Sequence, residues 1–208
     1  MPRRGGPAPG RGGFTLVEIL IAMMLTGMVT ALALAPVVMT VRRVVDLKQD
    51  YSDACALSRT LSFIGREAAG ALRLARTSLI VEDGRILGGG DNDTLIVMSA
   101  APARQQQAAG SLVYRLVRGG VMLNDVPEGL YRWALPCKFP EDVDLKKLRP
   151  EEGQLVLPGA TAFRVEVPVG EAELEKEYKG PLPTGLLLAL TRGEGERAET
   201  FEDIVVFP

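Results

Sequence analysis

A run of 28 residues, 14–41, holds a single charged side chain, Glu18, and no other feature limits the fold of this chain as tightly. As a helix the run is about 42 Å long at 1.5 Å per residue, while roughly 20 apolar residues suffice to cross a bilayer. A membrane helix is therefore expected, and Glu18 is its anomaly. An acid in the middle of a spanning helix costs about 2.5–3.5 kcal/mol on insertion scales, less near the interface. Such a residue is functional by default and requires a partner.

The flanks sharpen the question. Residues 1–13 contain Arg3, Arg4 and Arg11, no acid, five glycines and three prolines. This segment has no apolar face to bury and reads as a flexible basic leader. Basic residues beside an apolar segment stay on the cytoplasmic side, which places the C-terminal part outside, although Arg42 and Arg43 flank the other end. A secretory signal peptide cut after Ala33-Leu34-Ala35 fits poorly: the apolar core exceeds the usual 7–15 residues, and Pro36 directly follows the cut. A plain anchor accounts for the length but not for Glu18.

The segment "GGFTLVEILIAMM" resembles the class III signal of type IV pilins and type II secretion pseudopilins. In that pattern a short basic leader ends in Gly and is followed by Phe, a hydroxyl residue, Leu, any residue and Glu. Here these positions are Gly13, Phe14, Thr15, Leu16, Val17 and Glu18. The resemblance implies cleavage between Gly13 and Phe14 by a membrane prepilin peptidase, N-methylation of Phe14, and retention of the apolar helix. It also implies a role for Glu18 in assembly, neutralising the Phe14 amine of a neighbouring subunit as helices enter a filament. Opposite charges attract far more strongly in a low-dielectric setting than in water. Gly27 and Pro36 weaken the helix locally, since proline removes a backbone donor and clashes with the preceding turn.

Three regions follow: a prepilin leader (1–13), a transmembrane or filament helix (14–41) and a periplasmic domain (42–208). The last has ordinary globular composition, with 21 basic against 25 acidic residues once the leader's arginines and Glu18 are set aside. Nothing suggests the clustered cations of a nucleic-acid partner. Leu47, Tyr51, Ala54, Leu57, Leu61, Ile64, Ala68, Leu72 and Ala75 step by three or four, predicting one helix over 15–76 with a stripe that lies on a sheet. Beyond it, "SLIVEDGRILGGGDNDTLIVMSA" predicts a strand, a turn at Asp83-Gly84, a short strand, a Gly-rich turn and another strand. "SLVYRLVRGGVML" predicts a hairpin turning at Gly119-Gly120. Further strands are expected near Leu155, Phe163, Leu187 and Ile204, with loops over 133–153 and 170–183. The fold class is α+β: a long N-terminal helix, transmembrane and then amphipathic, packed on a mainly antiparallel sheet.

Candidate chemistry is thin. The chain has no histidine, so the commonest general base and transition-metal ligand are both missing. "GGGDND" at 88–93 lacks the ligand ladder of a calcium loop and reads as a turn; the acids Glu171, Glu173, Glu175 and Glu177 read as a solvated face. No metal, cofactor or enzymatic activity is expected. Cys55 and Cys137 either pair as one disulfide in an oxidising compartment or remain independent thiols. Trp133 packs in the core or serves as a contact residue.

Size and strand content resemble the J-type minor pseudopilin family of type II secretion. The likeness rests on "LSFIGREAAGALRLAR", "LVYRLVRGGVML", "LPGATAFRVEVPV" and "LPTGLLLALT". It implies a non-catalytic subunit that joins H-, I- and K-type minor pseudopilins and the major pseudopilin at the tip of a periplasmic filament anchored in the inner membrane. Contacts would come from the helix stripe and from exposed sheet edges. A W-type minor pilin of a type IV or competence pilus shares signal and fold. A membrane-anchored periplasmic enzyme or binding protein is the reading from a different class.

Overall fold

The computed structural model describes residues 15–74, 76–85, 90–100, 109–118, 126–170, 173–193, 195 and 198–207, with Gln49 described by its backbone alone. The chain divides into two compact units, residues 1–50 and 51–208. One helix, α1 (Leu16–Ala69, 54 residues), runs through both sequences and contains Pro36. In the first unit the hydroxyls of Thr26, Thr30 and Thr40 donate to the carbonyls of Ala22, Thr26 and Pro36 at 2.7–2.8 Å. This back-bonding leaves no polar side-chain group of these threonines unsatisfied on an otherwise apolar surface.

In the second unit, α1 buries Leu57, Leu61, Ile64 and Ala68, the middle of the predicted stripe. Leu47 and Tyr51 at its start are exposed. A methyl group on Gly65 would lie 3.1 Å from Val205 Cγ2, so glycine lets the helix approach the last strand closely. The helix ends earlier than the expected residue 76. The Gly70 N–H still bonds Arg66 O, but the Ala71 N–H tightens onto Ala68 O and the Leu72 N–H donates to Met98 O. The backbone there exchanges helical bonds for sheet pairing, which side-chain periodicity does not reveal. Ala75, at the end of the expected stripe, lies outside the described residues.

The strands form two antiparallel sheets rather than one. The first comprises β1 (Leu79–Glu82), β2 (Thr94–Ser99), β3 (Gly110–Val117), β4 (Gly129–Pro136), β5 (Gln154–Pro158) and β8 (Tyr178–Gly180), in the order β5-β4-β3-β2-β1-β8. The second comprises β6 (Ala160–Val169), β7 (Glu173–Glu175), β9 (Gly185–Arg192) and β10 (Glu199–Val206), in the order β10-β9-β6-β7. Leu79, Leu95, Leu112 and Leu130 of the first sheet share one core with Phe163, Val165, Leu186 and Leu188 of the second and with the buried face of α1. Period-2 alternation supplies each inner face.

The opposite face of the first sheet is also covered. Ile80, Ile96, Val113, Tyr131 and Trp133 form a second cluster against Val143, Leu145, Leu148 and Leu155. The cover is the segment after β4, expected to be a loop from residue 133. Trp133 instead belongs to β4, and three short 3-10 turns follow at Pro140–Asp142, Leu145–Lys147 and Pro150–Glu152. Prolines open two of these turns, where a missing N–H costs nothing, and the Asp144 carboxylate accepts from the Lys146 N–H to open the third. The Trp133 indole donates to Arg149 O at 2.8 Å and its ring stacks on Tyr131 at 5.8 Å between centroids. Trp133→Phe keeps most of the apolar contact but orphans that carbonyl. It is expected to cost about 1–2 kcal/mol and to speed proteolytic nicking within residues 139–153, read by limited proteolysis.

Two other expectations change. The loop over 170–183 contains β7 and β8, strands of three residues each, too short for an alternation pattern to register. β3 pairs with β2 and β4; the hairpin turn expected at Gly119-Gly120 and the strand expected over 121–123 lie outside the described residues.

Candidate functional site

Thr15 precedes α1, and its backbone N–H and hydroxyl both donate to Glu18 Oε2 at 3.4 Å. The Glu18 N–H donates back to the Thr15 hydroxyl at 3.3 Å. This reciprocal pair is a capping box, which satisfies helix donors that have no intrahelical acceptor. The spacing Thr-x-x-Glu therefore starts the helix as well as placing an acid one turn inside it. Gly13 and Phe14 lie outside the described residues.

From Glu18 onward the large apolar side chains of the first unit, among them Leu20, Met24, Met28, Leu32 and Val38, are all exposed. By length and composition α1 qualifies to cross a membrane, with a mean hydropathy of 2.1 in its most apolar window and none of that window buried. An apolar surface of this extent needs a non-aqueous environment or neighbouring helices to cover it.

Residues 9–34 match the family model of the prokaryotic N-terminal methylation motif. The chain carries a type IV pilin-like prepilin signal. The match takes in Gly13, Phe14, Thr15 and Glu18, the positions on which the sequence resemblance rested. Together with the apolar helix, this prepilin signal points to membrane anchoring. No curated protein matches the chain.

The two cysteines do not join. Both thiols are free, Cys55 half-buried on α1 and Cys137 exposed after β4. Topology keeps them apart. The Cys137 N–H bonds Ala109 O beside the paired strand ends Gly110 and Pro136, and Gly110 in turn pairs with Ser99, which bridges Ala71 just past the helix end. Cys55 lies 14 residues before Ala69 on the same helix, about 21 Å at 1.5 Å per residue. Disulfide formation needs Cα atoms within about 7 Å.

Two polar centres in the second unit were not anticipated. Glu67 of α1 accepts a two-pronged bond from Arg132 of β4, Nε to Oε2 and Nη2 to Oε1, each 2.7 Å. The hydroxyl of Tyr114 on β3 also donates to Glu67 Oε2. Burial, with the negative Glu67 beside it, pushes the Tyr114 hydroxyl far above its ordinary range. Burial also works against the Arg132 charge, but the Glu67 carboxylate overrides it and holds the guanidinium protonated. Arg132 additionally lies over the Phe63 ring at 5.9 Å. The cluster ties the helix to the first sheet. Its sequence signals were faint but real: Glu67 borders the apolar stripe at Ile64 and Ala68, and Arg132 has the inward parity of Leu130 on β4.

The second centre lies in the β1–β2 connection. A two-residue turn at Asp83-Gly84 was expected, yet β1 pairs directly with β2 from Glu82 opposite Thr94, leaving residues 83–93 as the connection. Gly84 is needed for a close approach: a Cβ there would sit 2.1 Å from Asn92 O. Within the former "GGGDND" turn, Asp93 is completely buried. Its carboxylate accepts from the Gly84 N–H at 3.2 Å and the Val165 N–H at 2.8 Å. Burial is the main force raising its pKa to about 6, opposed by the two N–H donors and helped by Asp83 and Asp91.

Proposed function

We propose that the chain is a minor pseudopilin of the type II secretion system, of the J type, and that it acts without catalysis. The observation that carries this reading is continuity: a prepilin signal opens a single 54-residue helix whose last turns are buried in the core of a two-sheet α+β unit. The described parts of the segments that resemble the J-type family include the last turns of α1, most of β3, and β6 and β9. In this reading a prepilin peptidase cuts between Gly13 and Phe14 and methylates the new amine. The apolar helix stays in the inner membrane as a single pass, with the second unit in the periplasm. Glu18 leaves its cap to meet the amine of an adjacent subunit as helices pack. The chain joins H-, I- and K-type subunits in a tip complex above the major pseudopilin, which primes filament growth and helps export folded proteins.

Mass spectrometry of the mature protein tests the reading. The expected N-terminus is N-methyl-Phe14, and co-purification from native membranes is expected to recover other minor pseudopilins. A mature chain beginning at Met1 or at Pro36 overturns the proposal. A methylated Phe14 with twitching-pilus subunits as partners replaces it with a W-type minor pilin.

A further inference from the structure

The β1–β2 connection does more than turn the chain. Its far end is stitched to the second sheet: the Asp93 N–H donates to Phe163 O, the Phe163 N–H donates to Asp91 O, and Asn92 bridges Phe163 in parallel. Residues 91–93 thus close the stretch of β6 that β7, paired only with 167–169, leaves open. The side chain of Asp93 completes the seam, since one oxygen takes the amide of Gly84 in the connection and the other takes the amide of Val165 in β6.

This seam is crowded with acceptors. Besides Asp93 it holds Asp83 Oδ1 and Asn92 Oδ1, both buried, and among the described residues no donor reaches either. Buried acceptors without donors destabilise the arrangement that buries them. Cationic relief is weak and one-sided. Lys176 of the β7–β8 connection stands 3.9 Å from Asp91 Oδ1, an exposed contact, and Arg85 bridges Asp91 through backbone only. On β6, Arg164 is occupied with Glu202 at 2.5 Å and Glu166 at 3.8 Å. A proton on this cluster supplies a positive charge and a donor at once.

We propose that Asp83, Asp91, Asn92 and Asp93 form a proton-operated latch between the two sheets, tight when the cluster holds a proton and loosened when it loses it. The sign follows from linkage. Asp93 in the closed seam titrates at about 6 against an ordinary 3.8, so the closed form binds the proton more tightly than the open one. Closure is fully favoured below about 4, weakens as pH rises toward 6 and is constant above that. The same shift bounds the change in the closing equilibrium at about 100-fold. A buried carboxylate already satisfied by two amides would act as a fixed strut, insensitive to pH, if it titrated in the ordinary carboxylate range.

Hydrogen exchange on the full chain in detergent micelles, between pH 4.5 and 7.5 and normalised to intrinsic amide rates, tests this. Protection of the Gly84 and Val165 amides is expected to fall by tenfold or more across that range in the natural sequence. In Asp93→Asn, which keeps an acceptor but cannot titrate, it is expected to stay flat. Flat protection in the natural sequence, or the same slope in Asp93→Asn, overturns the latch. If Asp93→Asn does not fold, carboxyl carbon NMR of the natural sequence decides: an Asp93 midpoint near 6 supports the latch, and one at or below 4 removes it.

Discussion

Glu67→Ala is expected to destabilise the second unit by about 3–5 kcal/mol, the range for breaking a buried ion pair from one side. The side chains of Arg132 and Glu67 are only 11% and 22% exposed, so solvent does little to replace the carboxylate that Arg132 and Tyr114 lose. Against a total stability of about 5–15 kcal/mol, such a loss lowers the thermal midpoint by roughly 6–20 °C, at 2–4 °C per kcal/mol for 150–250 residues. Near-UV circular dichroism of the chain in micelles, reporting Trp133 and the tyrosines, measures it. The double variant Glu67→Leu with Arg132→Met is expected to recover most of the loss, because removing both charges leaves no desolvated ion behind. If Glu67→Ala melts with the natural chain, the ion pair does not dock the helix.

Glu18→Leu is expected to act in the opposite place and the opposite way. It removes the acid's insertion cost of up to about 2.5–3.5 kcal/mol, so membrane levels hold or rise. It also removes the carboxylate proposed to meet a neighbour's Phe14 amine. At about 4 Å and an effective dielectric of 20 that attraction is on the order of 4 kcal/mol. Allowing for desolvation, at least a tenfold drop in cross-linking to partner subunits is expected, at 1.4 kcal/mol per decade. The variant also loses the Thr15–Glu18 cap, worth about 1 kcal/mol, and Thr15→Val serves as the control that removes the cap and keeps the acid. Equal assembly by Glu18→Leu and the natural chain would show that the acid serves only its own helix.

What could be read in advance followed the range of the interactions involved. The apolar helix and the buried stripe at Leu57, Leu61 and Ile64 are local patterns and appear in the structure where the sequence predicts them, while the prepilin motif is a short local signal that the family model also matches. The division into two sheets is not local. It depends on which strand of a run finds which neighbour, and β8 joins β1 across almost 100 residues of chain. The burial of Asp93 was hidden for the same reason. Its neighbours in sequence read only as a turn, whereas its partner Val165 lies 72 residues away. The 3-10 turns over 140–152 were hidden because prolines and charges look alike in a loose loop and in a cap. Pairing of Cys55 and Cys137 stayed open in the sequence because residue count says nothing about which ends of an element two cysteines occupy.

The double burial of β2 also has a consequence in time. All six of its residues are shielded, one face in the core shared by helix residues 57–68 with the second sheet and the other by residues 143–155. Part of that cover precedes the strand in the chain and the rest follows it by some 50 residues or more. As the chain emerges N-terminus first, "TLIVMS" must wait, bare on one side, until the segment beyond Val143 arrives. Long-range closures of this kind are slow steps in folding, and an exposed apolar strand is a ready template for pairing with another chain. Until residues 143–190 have been made, β2 is therefore open to that competing pairing.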